Sequence, residues 1–310
     1  MPHRKQDQKP GAPEPIGSFV CNICGCGAHR VSTAEESERE RVDCLRCGSS
    51  IRFRSIVLAL SRALFGLDLT LPEFPVLKSL RGLGLSDSTV YSGRLENHFS
   101  YTNTFYDRDP SFDLARPDEK EFGKYDFVIC SEVLEHVLGP VDRAFATLAR
   151  LLKPTGVLIL TVPYSLEPET IEHYPELAVF GFAEVDGRTV LVSRSANGEY
   201  RVFDKLTFHG GTGSTLERRI FSEEGLRAGL AAAGFPIVRF ELTGSRNFGV
   251  IFANPWSLPV IAARAPFALS AGGVTELVKD FCAARAISKA VKSSRWLRLG
   301  RTLGAGPDLK

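Results

Sequence analysis

The chain has no apolar run long enough to cross a bilayer. A spanning helix needs about 18 or more uninterrupted apolar residues, and the nearest approach, WSLPVIAARAPFALSAGG from Trp256, is broken by Arg264 and two prolines. The opening MPHRKQDQKPGAPEPIGSF has no apolar core of the kind a secretory signal requires. Residues 1–19 therefore read as a disordered tail and the protein as cytoplasmic. Charge of one sign is also lacking. A formal net charge of +2 gives the chain as a whole no electrostatic reason to seek nucleic acid or a membrane. Cysteine is scarce outside one place: Cys130 and Cys282 stand alone, and the other five of the seven fall between Cys21 and Cys47.

That cluster is ordered. CNIC carries Cys21 and Cys24, CLRC carries Cys44 and Cys47, and a glycine, Gly25 or Gly48, follows each pair. Two Cys-x-x-Cys knuckles can bring four thiolates around one tetrahedral zinc. Two disulfides or reduced thiols are the alternatives, and a cytoplasmic setting disfavours the first. Cys26 and His29 are further donors in reach. Four cysteines leave no open position, so the expectation is a structural zinc in a ribbon-like module, residues 20–50. IRFRSIVLALSRALFGLDL then shows apolar residues at helical spacing (Ile56, Leu60, Leu64), predicting a linker helix within 51–72. Arg52 and Arg54 at its start read first as solvated or ion-paired groups, and second as contacts to phosphate or substrate.

From 73 to 255 short apolar runs alternate with helical patterns, which predicts an α/β doubly wound domain. PVLKSLRGLGLSDS reads as a strand ending in a glycine turn at Gly82 and Gly84, YTNTFYD as a strand ending on Asp107, and YDFVIC as a third. VDRAFATLARLLKPTG reads as a helix stopped by Pro154, VLILTVPYS as a buried strand, and PIVRFELT with NFGVIFAN as the closing pair. Such a sheet places its ligand beyond the carboxyl ends of its strands. Ser131, Glu132, Glu135 and His136, directly after YDFVIC, stand there. Asp186-Gly187 and Asn197-Gly198, each between alternating apolar residues, predict a three-stranded antiparallel insertion within 164–221. The glycine-rich FHGGTGSTLERR follows it, and His209, His173 and Tyr174 stand in this region. A loop over a polar ligand and a solvated connector both fit that composition. The final 256–310 carries nine Lys or Arg against three Asp or Glu. It reads as a helical tail that packs on the domain, meets a partner, or lies on an anionic membrane.

YDFVICSEVLEHV followed by AFATLARLLKPTGVLILTVPY resembles the fourth strand, loop, helix and fifth strand of class I S-adenosylmethionine-dependent methyltransferases, in particular the type 11-like group with an LEH loop and an LKPGG turn. A cysteine ribbon ending CGSSIRFR ahead of such a domain resembles bacterial proteins of that group. The resemblance implies a Rossmann-like sheet of seven mostly parallel strands with one antiparallel edge hairpin, and S-adenosylmethionine as cofactor. It implies Gly82 and Gly84 near the cofactor, Asp107 on the ribose, Asp113 at the adenine edge, and Ser131 and Glu132 beside the sulfur. The first motif departs from the family: the acid before the glycines is absent, Leu80-Arg81 standing there, and Ser86 replaces the third glycine. Asp87 follows and is the candidate to hold the cofactor's cation. His136, Glu132, His173 and His209 are the candidate bases for an acceptor that must lose a proton. The acceptor expected is a small molecule or glycan-linked group. An RNA or protein methyltransferase, and a non-catalytic binding module, are the alternatives.

Overall fold

In the computed structural model, residues 18–29, 39–40, 42–175, 177, 179–195, 197–209 and 215–296 are described. Most of the expected tail, the Gly210, Gly211 and Gly213 positions and the end of the basic segment lie outside these residues.

Two short hairpins open the chain. β1 (Ser18–Val20) pairs with β2 (Gly27–His29), and β3 (Val42–Cys44) pairs with β4 (Ser49–Ser50). Each Cys-x-x-Cys turn closes through a glycine amide: Gly25 donates to the Cys21 carbonyl and Gly48 to the Cys44 carbonyl, both at 2.8 Å. Both glycines have φ near +70° (72° and 73°), the left-handed region that a side chain disfavours. α1 (Ile51–Phe65) follows without a linker, capped by Ser50, whose hydroxyl accepts from the Phe53 amide, and ended by Gly66. Ile56, Leu60 and Leu64 are buried in one cluster with Phe19, Cys21, Ile23, Leu80 and Phe127. The N-terminal module and the sheet thus share a core. Arg54 is wholly buried within it, donating to Ser49 and Gly249 carbonyls and lying over the Phe19 ring. Neither reading anticipated an arginine buried on backbone carbonyls.

The central sheet is built from β5 (Leu77–Leu85), β6 (Phe99–Thr104), β7 (Tyr125–Ser131) and β8 (Leu152–Thr161), all parallel, with α2 (Ser92–His98) and α3 (Val141–Leu151) between them. Successive residues of β7 and β8 enter opposite cores: Val128, Cys130, Leu158 and Leu160 face α3, whereas Phe127, Ile129, Val157 and Ile159 face α1. Burial on both faces explains why these strands read as continuous apolar runs. α3 ends before Pro154, because the residue preceding a proline is driven into extended backbone, and β8 starts directly at Leu152.

After β8 the chain makes an excursion. β9 (Tyr164–Ser165) and β10 (Ile171–Glu172) lead to β11 (Val179–Val185), β12 (Arg188–Arg194) and β13 (Tyr200–Phe203), the three-stranded antiparallel insertion. Asp186 and Gly187 both have positive φ (51° and 71°), as a two-residue hairpin turn requires. β14 (Phe208–His209) pairs with β15 (Thr215–Leu216), and β16 (Arg219–Ser222) returns between β10 and β9. α4 (Glu223–Ala232), capped by Ser222, packs beside α3.

The closing strands depart from the sequence reading. β17 (Ile237–Phe240) pairs with β18 (Val260–Ala263), not with NFGVIFAN, and β18 inserts between β17 and β8. Residues 246–249 form a short turn ending on Gly249 at φ +62°. VIAA is buried at every position. The domain therefore extends past residue 255, because the strand with two apolar faces lies in the segment the tail was to begin with. The sheet order is β6-β5-β7-β8-β18-β17, with six strands among the described residues where seven were expected. Beyond β6 a single bridge, Phe105 to Ser111, is formed. Pro110 and Pro117 flank that stretch and have no amide to give a ladder. α5 (Ala271–Ser293) starts against β5, where Glu276 accepts from the Ser79 amide and hydroxyl, and then runs largely exposed. Among the described residues no helix is long and apolar enough to cross a membrane.

Candidate functional site

β5 and β7 end side by side, and polar groups gather there. Gly82 and Gly84 do not form the turn. They lie inside β5, paired with β6 on one side and β7 on the other, because a side chain would not fit. A Cβ on Gly82 would stand 2.2 Å from the Phe127 ring, and one on Gly84 would stand 2.0 Å from the Tyr101 hydroxyl. The turn comes later, at Ser86, whose φ is +60°.

That shift brings Asp87 into the protein. Its amide donates to Asn103 Oδ1 at 2.9 Å, and Asn103 Nδ2 donates back to the Asp87 carbonyl at 2.8 Å. Its carboxylate accepts from the Tyr91 hydroxyl at 2.8 Å and from the Tyr101 hydroxyl. Burial pushes the pKa of Asp87 up to about 7, against the opposing effect of the two tyrosines and of the Arg52 charge. Between about pH 4 and 7 the folded carboxyl keeps a proton that the unfolded one has lost. Stability should therefore fall as pH rises through that window, by at most about 4 kcal/mol, and level off above it. Asp87→Asn should flatten the slope, as urea unfolding at several pH values would reveal. An unchanged slope would place the titration elsewhere.

Next to it, Ser131 ends β7. Its hydroxyl accepts from Arg52 Nη1 at 2.8 Å and lies 2.9 Å from Thr161 Oγ1. Glu132 follows with φ +55°, anchored by its amide on the Thr161 carbonyl. Arg39, from the N-terminal module, grips its carboxylate with both terminal nitrogens, at 3.0 and 2.7 Å. Burial opposes ionisation of Glu132, but the Arg39 and Arg52 charges outweigh it and hold the carboxyl below its usual range. Glu135 goes the other way: burial and the Glu132 charge raise it well above that range. The pKa values of two carboxyl groups three residues apart are thus pushed in opposite directions.

The loop carrying them is held from below. Arg219 donates to the Leu134 and Val137 carbonyls, Arg218 donates to the Val137 carbonyl, and the Arg218 amide donates to the Glu135 carbonyl. His136 Nδ1 lies 2.8 Å from the Leu216 carbonyl and Nε2 lies 3.5 Å from Glu135 Oε1. A carbonyl can only accept, so in the neutral ring the proton sits on Nδ1 and Nε2 is the basic nitrogen. His173 joins the same segment, its amide on the Arg218 carbonyl and Nε2 3.4 Å from Glu217. The backbone of His209 pairs with Thr215, beside Leu216.

Two predicted groups stand apart. Asp107 lies three residues past the end of β6 and is exposed; Asp113 accepts from the Ala115 amide in a local turn. Among the described residues no hydrogen bond or ion pair joins either to the Ser131–Glu132 group. Arg39, Tyr91, Asn103, Thr161, Arg218 and Arg219 are parts of the site that the sequence reading passed over. Asn103 had a visible signal, being polar within the strand pattern YTNTFYD; Arg39 sits in a charged run, SERERV, with nothing to mark it.

In the N-terminal module the sulfurs of Cys21, Cys24, Cys44 and Cys47 all lie within 4.8 Å of one another. Cys21 and Cys47 are 3.6 Å apart, Cys24 and Cys44 3.7 Å. Four thiolates at about 2.3 Å around a tetrahedral zinc would be separated by about 3.8 Å, so the set fits such an ion. Cys26 turns to the Cys24 carbonyl instead.

Residues 91–239 match the family model described as a methyltransferase domain. The match spans α2 through most of β17 and so includes the Ser131–His136 loop and the insertion. Several solved structures are similar in outline. The sugar N-methyltransferase KedS8 from Streptoalloteichus is 14% identical, covering 85% of this chain and 99% of its own, with a TM-score of 0.39. The amino pentose methyltransferase CalS10 from Micromonospora echinaspora, solved with S-adenosylmethionine, is 19% identical over 71% and 94%, with a TM-score of 0.38. The 1,6-didemethyltoxoflavin-N1-methyltransferase from Burkholderia thailandensis is 15% identical over 68% and 75%, with a TM-score of 0.35. No curated protein matches the sequence.

Proposed function

We propose that this protein transfers a methyl group from S-adenosylmethionine to a small-molecule or glycan-linked acceptor, and that a structural zinc holds its N-terminal module through Cys21, Cys24, Cys44 and Cys47. The observation that carries this reading is the polar group at the ends of β5 and β7, Asp87 just ahead of the segment that matches a methyltransferase domain and Ser131 and Glu132 within it. In it, Asp87 supplies the carboxyl that the first motif lacks at Leu80, Asp107 grips the ribose, and Asp113 borders the adenine. Methyl transfer from a sulfonium is an in-line displacement that depends on positioning. His136, through Nε2, takes a proton from the acceptor, with Glu135 beside the ring; Glu132, His173 and His209 are the other candidate bases.

Titration calorimetry with S-adenosylmethionine and S-adenosylhomocysteine tests the cofactor site. Micromolar binding is expected. Asp107→Ala should weaken it about tenfold or more, the worth of a charged hydrogen bond to the ribose. Equal affinity in the variant would remove Asp107 from the site. No binding at millimolar ligand would make this a non-catalytic binding module.

A further inference from the structure

A cavity of about 940 Å³ opens beside the support of the Glu132–His136 loop, and among the described residues its lining is mostly basic. Its walls come from four places: Ala115 and Arg116 after β6, Gly139 to Val141 with Arg143 at the start of α3, Tyr174 and Leu177 before β11, and Ser195 with Asn197 in the insertion. Among the described residues, Arg218 and Arg219 are its remaining basic residues and Glu172 is its acid. Glu172 is already engaged, 2.6 Å from Arg219 Nε.

Arg218 is the informative residue. It is 4% exposed, its terminal nitrogens donate to the Val137 and Leu177 carbonyls, and its Nε, equally buried, has no hydrogen-bond partner. Among the described residues it has no carboxylate within ion-pair distance. A buried guanidinium without a directly paired carboxylate is costly unless something supplies one. Burial and the Arg219 charge next to it press on its proton, and the Glu172 charge only partly offsets them. At the mouth, Arg116 and Arg143 are exposed and make no side-chain ion pair among the described residues. The amino end of α3 adds its dipole, since Pro140 gives it no side-chain cap.

We infer that this cavity binds an anionic group of the methyl acceptor, a phosphate or a carboxylate, with Arg218 at its floor and Arg116 and Arg143 at its mouth. The inference deepens the methyltransferase reading and rests on it for the word acceptor, but the anion site stands on its own geometry. Arginine suits either oxyanion because its planar fork pairs two oxygens at once. The apolar walls, Leu138 and Leu177, and a volume far beyond one phosphate leave room for the rest of a sugar-sized molecule. The floor is bonded to the loop of Glu132 and His136, so an anion held there positions its neighbour toward that loop.

The test is binding of glucose 1-phosphate, glucuronate and uncharged glucose to the full chain, by calorimetry, with S-adenosylmethionine affinity measured in parallel. Arg116→Ala/Arg143→Ala changes two exposed residues and should leave the fold and the cofactor affinity intact. At least one of the two anions should bind, glucose should not, and the double variant should weaken the anion about tenfold or more. Which anion binds distinguishes phosphate from carboxylate. Neither anion binding, or equal binding by the double variant, overturns the site. Anion binding that depends on these arginines in a protein that takes no S-adenosylmethionine would keep the site and sink the methyltransferase reading.

Discussion

Cys44→Ser should lower bound zinc from about one ion per chain to near none and unfold the N-terminal module. Structural zinc contributes on the order of 10–16 kcal/mol in small modules, and a missing thiolate forfeits much of it. Cys44 is fully buried, within the cluster that also holds Ile56, Leu60 and Phe127, so the loss should pass to α1 and the sheet. Elemental analysis and thermal unfolding of wild type and variant check this. Cys26→Ser is the control: its sulfur lies outside the four-sulfur group and faces a carbonyl, so zinc content should stay. Full zinc in Cys44→Ser would refute the ribbon assignment.

Arg39→Ala should cost on the order of 3 kcal/mol, because it takes a two-pronged cation contact from a buried carboxylate. The side chain of Glu132 is 6% exposed and that of Arg39 25%, so removal of the cation takes the largest opposing charge from a carboxyl that burial pushes toward its neutral form. The pH dependence should change with it. In the wild type the Glu132 carboxyl is depressed, so its contribution is present above the usual carboxylate range and is lost as pH falls through the folded pKa. Without Arg39 the burial effect gains weight, the carboxyl rises, and that contribution shrinks. A double-mutant cycle with Glu132→Gln, read by urea unfolding at pH 5 and 8, isolates the pair. A coupling near zero would show that the contact carries no energy.

Much of the architecture is legible because it follows from local rules. The Cys-x-x-Cys pairs with their glycines, the Asp-Gly hairpin, Ser222 as a helix cap, and the apolar runs of β7 and β8 each state their own geometry. Misreadings arose where a local signal had two tertiary uses. Gly82 and Gly84 look like a turn, yet they are small because Phe127 and Tyr101 press on β5. NFGVIFAN and PVIAARAP are both apolar, and the sheet took the second. The choice depended on which run had two faces to bury, which no short window reveals.

The candidate site divides along the same line. Ser131, Glu132 and His136 are predictable because a parallel strand must end at the cleft and these residues follow directly on YDFVIC. Their chemistry is not. Glu132 is pushed toward its charged form because Arg39 arrives from 93 residues away; Glu135 is pushed toward its neutral form because the fold buries it next to that charge. The sequence by itself determined the four-cysteine cluster, the α/β alternation and the loop on which ionisable groups gather. Only the tertiary structure decided which of those groups carry charge, and that Arg116, Arg143 and Arg218 meet at one cavity. The reason is physical: strand, turn and ligand spacings depend on neighbours in the chain, whereas burial and Coulomb terms depend on neighbours in space.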